Sequence, residues 1–171
     1  MNIKNSLIVG SGEIGKALLA VLAKQYQVVA IDRNETLDEK YDIIHICFPY
    51  SKDFIKEVKK YQKKFKPRYT VIHATVPPGT SKKCNAIHSP VVGLHPFLEE
   101  GIRTFTKFLG GERAHEVADY FRKAGIKVYL VDEAKTTEAM KIFSTSLYGL
   151  LNEYNKDVKR WCLKIPGNCK V

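Results

Sequence analysis

The sequence predicts an α/β fold, in which a doubly wound, mainly parallel sheet is followed by a long C-terminal helix. Apolar, strand-like runs alternate with helical patterns along most of the chain. The stretch from about 134 to 162 contains no proline and a single glycine, Gly149, so it predicts one continuous helix. We therefore expect two parts, a sheet domain over 1–133 and a helical extension over 134–171.

The predicted strands are short apolar runs rich in β-branched residues. They cover 3–9, 27–31, 41–48, 69–74, 91–94, 105–109 and 126–131. Three helical patterns lie between them: one after the first strand, one capped by Ser51 that turns Tyr61 and Phe65 inward, and one from Ala114 that ends before Gly125. Strands that alternate with helices in this way form a mainly parallel sheet covered on both faces.

A glycine-rich turn follows the first predicted strand. It has the sequence Gly10-Ser11-Gly12-Glu13-Ile14-Gly15, a G-x-G-x-x-G pattern, and Asp32 closes the next strand about twenty residues later. In such a turn the first glycine allows a tight bend, the second lets backbone approach a pyrophosphate, and the third lets the helix pack close to the sheet. The combination predicts a Rossmann-like NAD(P)-binding domain over 1–133. The alternative is an ordinary βαβ turn with structural glycines.

Asp32 and Arg33 bear on which dinucleotide binds. A carboxylate at the end of the second strand accepts hydrogen bonds from the ribose hydroxyls and repels a 2′-phosphate, so Asp32 favours NAD over NADP. Arg33 has the opposite tendency, because a guanidinium accepts that phosphate or stacks on adenine. We expect NAD as the cofactor, held by the glycine-rich turn and by these two side chains.

Short motifs give the chain a family resemblance. They are Ile46-Cys47-Phe48-Pro49, Thr75-Val76-Pro77-Pro78-Gly79-Thr80, Phe97-Leu98-Glu99-Glu100-Gly101 and Gly110-Gly111. With them the chain resembles the NAD-binding domain of the UDP-glucose/GDP-mannose dehydrogenase family, within the wider class of 6-phosphogluconate and prephenate dehydrogenases. The resemblance extends over about 7–152 and is most specific in the Thr-Val-Pro-Pro-Gly-Thr run.

The resemblance implies roles for individual residues. It places Phe48, Pro49, Thr75 and Val76 at the cofactor and Thr80 beside the nicotinamide. It also matches Lys141 to a catalytic lysine of the long helix, although Thr145 stands where the family has asparagine and Phe97 where it has glutamate. The family's nucleophilic cysteine lies in a glycine-rich loop, and Cys47, Cys84, Cys162 and Cys169 do not. A four-electron oxidation by this chain alone is therefore not expected.

His95 is a candidate base. The segment Gly93-Leu94-His95-Pro96 is similar to the Gly-x-His-Pro turn of prephenate dehydrogenases, in which the histidine contacts the substrate hydroxyl. In this interpretation His95 takes a proton as hydride leaves. The alternative is a capping or core histidine before a proline. His45 and His73 lie inside predicted strands and are expected to be core residues.

The candidate site residues share a position in the predicted topology. Each follows the carboxyl end of a strand; the set comprises Gly10, Asp32, Pro49, the run 75–80 and His95. In a parallel sheet these ends lie along one edge, which is where ligands bind. The sequence therefore predicts a single site assembled from scattered motifs.

Charge and composition limit the function classes. The chain of 171 residues has a formal net charge of +10, part of it in a basic run from Lys59 to Arg68. A solvated helix face is the favoured interpretation of that run, and a nucleic-acid surface is the less favoured alternative. The sequence contains no run that resembles a signal peptide or a membrane span and no metal-ligand spacing, and its cysteines suit a cytoplasmic protein.

These observations predict an NAD-dependent oxidoreductase that acts on a CH–OH group of a small anionic substrate, such as a nucleotide sugar or hydroxy acid, with Thr80, His95 and Lys141 at the reacting end. A non-catalytic NAD-binding module is the alternative. An apolar stripe runs along the last predicted helix and comprises Met140, Phe143, Leu147, Leu150, Tyr154, Val158 and Trp161. One compact domain is too small to cover it, so we expect a homodimer through the extension or a cleft that the extension completes.

Overall fold

In the computed structural model, which describes residues 3–32, 37, 39–93 and 95–164, strands and helices alternate along the chain. The strands are β1 (Asn5–Val9), β2 (Gln27–Ile31), β3 (Ile43–Ile46), β4 (Tyr69–Ile72), β5 (Ile87–His88), β6 (Lys107–Gly110) and β7 (Val128–Val131). The helices are α1 (Glu13–Leu22), α2 (Phe54–Phe65), α3 (Thr80–Lys83), α4 (Leu98–Thr104), α5 (Ala114–Lys123) and α6 (Ala134–Cys162).

The strands form one sheet with the order β2-β1-β3-β4-β5-β6-β7. The first five strands in this order run parallel, whereas β6 pairs antiparallel with β5 and β7 runs parallel to β6. The predicted α/β, mainly parallel, Rossmann-like architecture with a long final helix is therefore confirmed. Because of the reversal at β6, strands end at both edges of the sheet, β1 to β5 at one edge and β6 and β7 at the other.

Two apolar cores cover the two faces of the sheet. One contains Leu18 and Val21 of α1 with Val117 and Phe121 of α5. The other packs α2 on the sheet through Phe54, Val58 and Phe65, each almost completely buried. Burying a side chain of this size contributes about 1.5–3 kcal/mol relative to leaving it in water, which explains why the apolar periodicity predicted these helices.

Two local predictions are wrong. The fifth strand was expected over 91–94, but the strand is Ile87–His88, and 91–93 has no regular structure while Leu94 lies outside the described residues. The apolar character of Val91 is used for packing, because it is buried without strand pairing. The second helix was expected to be capped by Ser51, but its N-cap residue is Asp53, which makes no side-chain cap bond.

Helix α6 leaves the sheet after its first turns. Its buried residues are Ala134, Thr137, Glu138 and, at the far end, Cys162. Between them the predicted stripe is exposed, with Phe143 at 72% and Leu150 at 69% of full exposure. Within the described part of the chain, no helix is long and apolar enough to cross a membrane.

Candidate functional site

The carboxyl ends of the first four strands bring the predicted cofactor residues to one edge of the sheet. Strands β1, β2, β3 and β4 are parallel, so the turns that follow Val9, Ile31, Ile46 and Ile72 lie side by side. Backbone bonds join the first three turns, since the Gly10 N–H donates to the Ile31 carbonyl at 2.9 Å and the Cys47 N–H to the Val9 carbonyl at 2.8 Å. The predicted convergence is thus observed for these motifs.

Two glycines of the turn are required by close backbone contacts. Gly10 has φ +105°, and a Cβ built on it would lie 2.8 Å from the backbone nitrogen of Phe48. At Gly15 a Cβ would lie 1.9 Å from the Gly10 carbonyl oxygen. These contacts hold the first turn of α1 against β1 and β3, so both glycines are needed for the fold itself.

Gly12 differs from the other two because nothing requires it inside the chain. A Cβ on Gly12 would meet no atom within 4 Å, so this residue borders open space. It is also the N-cap of α1 and makes no side-chain cap bond. Helix N-termini present unsatisfied N–H groups and a partial positive charge, which suits a phosphate. The glycine-rich turn therefore has the shape and the electrostatics of a pyrophosphate cradle.

Asp32 lies beside this cradle. Its carboxylate accepts a hydrogen bond from the Ser11 backbone N–H at 3.4 Å and another from the Ser11 hydroxyl. Ser11 directly precedes Gly12, so these bonds hold the Asp32 carboxylate next to the cradle. The ribose hydroxyls of a bound dinucleotide would reach a carboxylate at this end of β2. Ile14, also predicted to contribute, is half-buried and packs against the core below the turn. Arg33 lies outside the described residues.

His95 meets the same turn by a route that the sequence did not predict. It follows an irregular segment rather than a strand, yet its Nδ1 is paired with the carboxylate of Glu13. Because a carboxylate accepts, Nδ1 carries the proton, and in the neutral ring Nε2 is then a free acceptor. Both side chains are mostly exposed, at 62% and 71%, so the pair is weak and opens at little cost.

The Thr-Val-Pro-Pro-Gly-Thr run forms the loop between β4 and α3. Thr75 is exposed and Val76 buried, while the hydroxyl of Thr80 donates to the Pro77 carbonyl at 2.6 Å. Thr80 is only 4% exposed, and its hydroxyl proton is used in this bond. In the preceding loop Phe48 is buried and Pro49 is exposed.

Glu138 of α6 fixes the end of that loop. Its carboxylate is fully buried and accepts hydrogen bonds from the backbone N–H groups of Gly79 and Ser81, at 2.5 and 2.7 Å. Charge-assisted bonds of this kind are among the stronger ones in proteins. Glu138 was not predicted from the sequence, because a glutamate on an amphipathic helix gives no signal that it is buried.

Lys141 lies one turn after Glu138 and is half-buried. Its Nζ donates to the Val91 carbonyl at 3.0 Å, and burial lowers the pKa of this ammonium. Val91 belongs to the irregular segment that leads to His95, so Lys141 restrains the segment carrying the candidate base. The described contacts therefore link Thr80, Lys141 and His95 through neighbouring segments, while their catalytic roles stay predictions.

A buried polar chain crosses the sheet beneath α5. Ser6 contacts the hydroxyl of Tyr120 at 2.8 Å, Tyr120 contacts Nε2 of His45 at 3.1 Å, and Nδ1 of His45 contacts Nε2 of His73 at 3.0 Å. Nδ1 of His73 lies 2.7 Å from the Ser89 carbonyl. A carbonyl can only accept, so His73 donates there, and every other proton in the chain is then fixed in one direction. Both histidines are neutral in this arrangement.

Lys107 and His88 extend this polar region. Nζ of Lys107 lies 3.3 Å from the Ser89 carbonyl and 3.3 Å from Nδ1 of His73, and the side chain is buried. Burial lowers the pKa of Lys107 to about 7, that of His45 to about 3 and that of His88 to about 4. His88 bonds to Thr137 of α6 at 2.9 Å. The expectation that His45 and His73 are core residues agrees with these contacts.

The basic run on α2 has the arrangement expected of a solvated face. Lys59, Lys60, Lys63 and Lys64 are exposed, whereas Phe65 is buried and Tyr61 is half-buried in the core. The aromatic rings are therefore not presented for base stacking. Among the described residues, no group of three or more histidines, cysteines or carboxylates is placed to hold a metal ion.

No protein-family model matches the chain, and no curated protein sequence matches it significantly. Solved structures do share its fold. A UDP-D-ManNAc dehydrogenase from Pyrococcus horikoshii superposes with a TM-score of 0.73 at 14% identity, over 92% of this chain and 55% of that one. A prephenate dehydrogenase from A. aeolicus, in complex with hydroxyphenyl propionate and NAD+, gives 0.61 at 11% identity, over 80% and 62%.

A reductive aminase from Aspergillus terreus, in complex with NADPH and ethyl levulinate, gives a TM-score of 0.64 at 11% identity, over 90% of this chain and 64% of that one. The chain thus spans a little more than half the length of the first of these proteins. These similarities show a fold that this chain shares with dehydrogenases of the Rossmann class. One neighbour is bound to NAD+ and another to NADPH, so the comparisons leave the choice of dinucleotide open.

Proposed function

We propose that this chain binds NAD and belongs to an oxidoreductase that moves hydride between a CH–OH carbon of a small anionic substrate and the nicotinamide. The observation that carries the proposal is the cradle at Gly12. Gly12, which no internal contact requires, stands at the N-terminus of α1, and the adjacent Ser11 donates hydrogen bonds to the Asp32 carboxylate at the end of β2. That combination suits the two ends of an adenosine diphosphate.

The residues of the turn would divide the binding between them. The N–H groups at the start of α1 would donate to the pyrophosphate, because Gly12 leaves them uncovered. Asp32 would exchange its bonds from Ser11 for bonds from the ribose hydroxyls and repel a 2′-phosphate. Glu13 belongs to the same first turn, and its carboxylate accepts a hydrogen bond from Nδ1 of His95.

The reacting end would be built around His95. When bound, the nicotinamide supplies the hydride acceptor. The Nε2 lone pair of His95 would take the proton of the substrate hydroxyl while Glu13 holds Nδ1. Lys141 would keep the 91–95 segment in place, and its ammonium, like the chain's net charge of +10, favours an anionic substrate. Thr80 would keep the loop beside the nicotinamide rigid.

Turnover with candidate substrates tests this function. Hydroxy acids and nucleotide sugars are supplied with NAD, and NADH absorbance is followed. We expect one class to be oxidised, with His95→Asn lowering kcat at least tenfold while NAD affinity is unchanged. His115→Asn is the matched control, because His115 is an exposed histidine on α5. Turnover that survives His95→Asn would return His95 to a structural role, and NAD binding without any turnover would favour a non-catalytic NAD-binding module.

We also propose that the chain forms a homodimer through α6 and works in the cytoplasm. The exposed stripe on α6 supports the dimer, since Phe143, Leu147, Leu150 and Tyr154 are all more than half exposed. Burying these side chains against a second copy would bring the α6 helices of the two subunits together. It would also bring the second subunit close to the start of α6, where Lys141 lies. A partner subunit would then close the substrate side of the site.

A further inference from the structure

A cavity beside the reversed strands lies away from the glycine-rich turn. It has a volume of about 470 Å³ and lies between the start of β4, the helix α3 and the loops that follow β6 and β7. Its walls include Tyr69, Ile87, Gly111 and Ala134, and none of the predicted cofactor or catalytic residues. The volume lies in the range of small-molecule sites in proteins.

The topology explains why a cavity forms here. Strands β6 and β7 are antiparallel to β5, so their carboxyl ends lie at the edge opposite the glycine-rich turn. In α/β sheets, ligands bind outside the carboxyl ends of strands. The sheet therefore has a second edge of this type, formed by the loops at 111–113 and 132–135.

Two long helices begin at this cavity. Helix α5 has 10 residues and starts after Arg113, and α6 has 29 residues and starts after Glu133. Neither N-cap residue makes a side-chain cap bond. The N–H groups of Ala114, Glu116 and Thr136 donate to nearby backbone carbonyls. Each helix start still contributes about half a positive charge, so both favour an anion in the space between them.

The charged side chains on the walls are of both signs. Lys82, Arg113 and Lys135 are cationic, and α2 is close, since the Gln62 amide donates to the Cys84 carbonyl at 2.8 Å. Arg113 is held by Glu116 at 2.7 Å and lies over the ring of Tyr69 at 4.6 Å, so its position is fixed. The charge of Arg113 is balanced by Glu116, so Lys82 and Lys135 are the cations that favour a phosphate.

The acidic groups suit a different part of the same ligand. Glu112, Asp132 and Glu133 line the opening and are exposed, and Asn85 adds an amide. Carboxylates accept hydrogen bonds from hydroxyl groups, and a side-chain amide both donates to them and accepts from them. A ligand with a phosphate at one end and several hydroxyls at the other would satisfy both sets.

We propose that this cavity is a second binding site, separate from the dinucleotide cradle, for a sugar phosphate. The helix starts of α5 and α6 with Lys82 and Lys135 bind its phosphate, and Glu112 and Asp132 bind its hydroxyls. Gly79 also lines the cavity, and its N–H donates to Glu138, so a ligand bound there would contact the loop that carries Thr80.

Amide NMR of the full chain during titration with glucose 6-phosphate tests the site. We expect saturable shifts at the amides of Gly111, Glu112 and Lys135, with inorganic phosphate reproducing only part of them and glucose none. The double variant Lys82→Glu, Lys135→Glu should weaken binding at least tenfold. The control Lys123→Glu, Lys127→Glu changes the net charge equally, and both of its lysines are exposed outside the cavity.

Two further arms separate the outcomes. Gly12→Ala should leave glucose 6-phosphate binding unchanged, and Asp132→Asn should weaken glucose 6-phosphate but not phosphate. The proposal is overturned by the absence of saturable shifts, by equal weakening in both double variants, or by loss of binding in Gly12→Ala, which would place the phosphate in the cradle.

Discussion

Within the glycine-rich turn, Gly15 is needed for folding, whereas Gly12 is available for binding. Gly15→Ala places a Cβ 1.9 Å from a backbone oxygen, whereas Gly12→Ala meets nothing within 4 Å. We expect Gly15→Ala to destabilise the fold by about 3 kcal/mol, the upper end of overpacking penalties, and Gly12→Ala to change stability by less than about 1 kcal/mol. Urea unfolding of the two variants measures the difference. Equal stabilities would contradict the packing described for Gly15.

Asp32 is the residue that would decide between the two dinucleotides. Its carboxylate lies at the end of β2 and is held by Ser11. We expect NAD to bind more tightly than NADP and Asp32→Ala to reduce that difference at least tenfold, because the repulsion of a 2′-phosphate is removed. Calorimetry with both dinucleotides measures it. A preference of the unmodified protein for NADP would sink this account and give Arg33 the deciding role.

The elements show what the sequence could predict. Apolar periodicity found α1, α2, α5 and α6, because each buries one face and the period of that face is visible in the sequence. The glycine motif was found for the same reason, since it depends on neighbours along the chain. The strand at Ile87–His88 was missed because a two-residue strand has no pattern of its own.

The burial of two charged residues could not be predicted from the sequence either. Lys107 and Glu138 are charged residues whose burial depends on partners distant in the chain, 18 residues away at Ser89 and 57 at Ser81. No local pattern distinguishes them from solvated charges. The contact of His95 with Glu13 likewise depends on the irregular segment that follows β5.

The sheet should respond to pH through Lys107. Burial lowers its pKa from 10.5 to about 7 in the folded chain, so between those values the unfolded chain binds more protons. The free energy of unfolding therefore rises with pH above 7, by up to about 1 kcal/mol per pH unit from this group. His45, His73 and Cys47 lie nearby, and burial raises the pKa of that thiol to about 12, which acts in the opposite direction above pH 9.

Urea unfolding between pH 7 and 8.5 tests this. The unmodified protein should gain stability across the interval relative to Lys107→Met, whose curve should be flatter. Lys127→Met is the control, because Lys127 is exposed and should leave the slope unchanged. Parallel curves for all three proteins would show that Lys107 keeps an ordinary pKa.

At the scale of the whole molecule, α6 predicts self-association. The apolar stripe extends over several turns of α6 that do not pack on the sheet. Burying apolar surface lowers the free energy by roughly 25 cal/mol per Å², before the cost of ordering the side chains is subtracted. Light scattering at micromolar concentration should give a dimer, dissociated by Leu150→Asp and Tyr154→Asp. Asn152→Asp adds the same charge on another face of α6 and should leave the dimer intact. A monomeric mass for the unmodified chain would refute the dimer.

The proposed function depends on the dinucleotide cradle, and calorimetric titration of the full chain with NAD tests it most directly. We predict one NAD per chain, with affinity reduced at least tenfold in Gly12→Ala, where the new methyl occupies the space left for the pyrophosphate. Gly149→Ala should bind as the unmodified chain does, because its Cβ also meets nothing within 4 Å and it lies far along α6. Absence of binding by the unmodified chain to either NAD or NADP, or equal affinity in Gly12→Ala, would contradict the account.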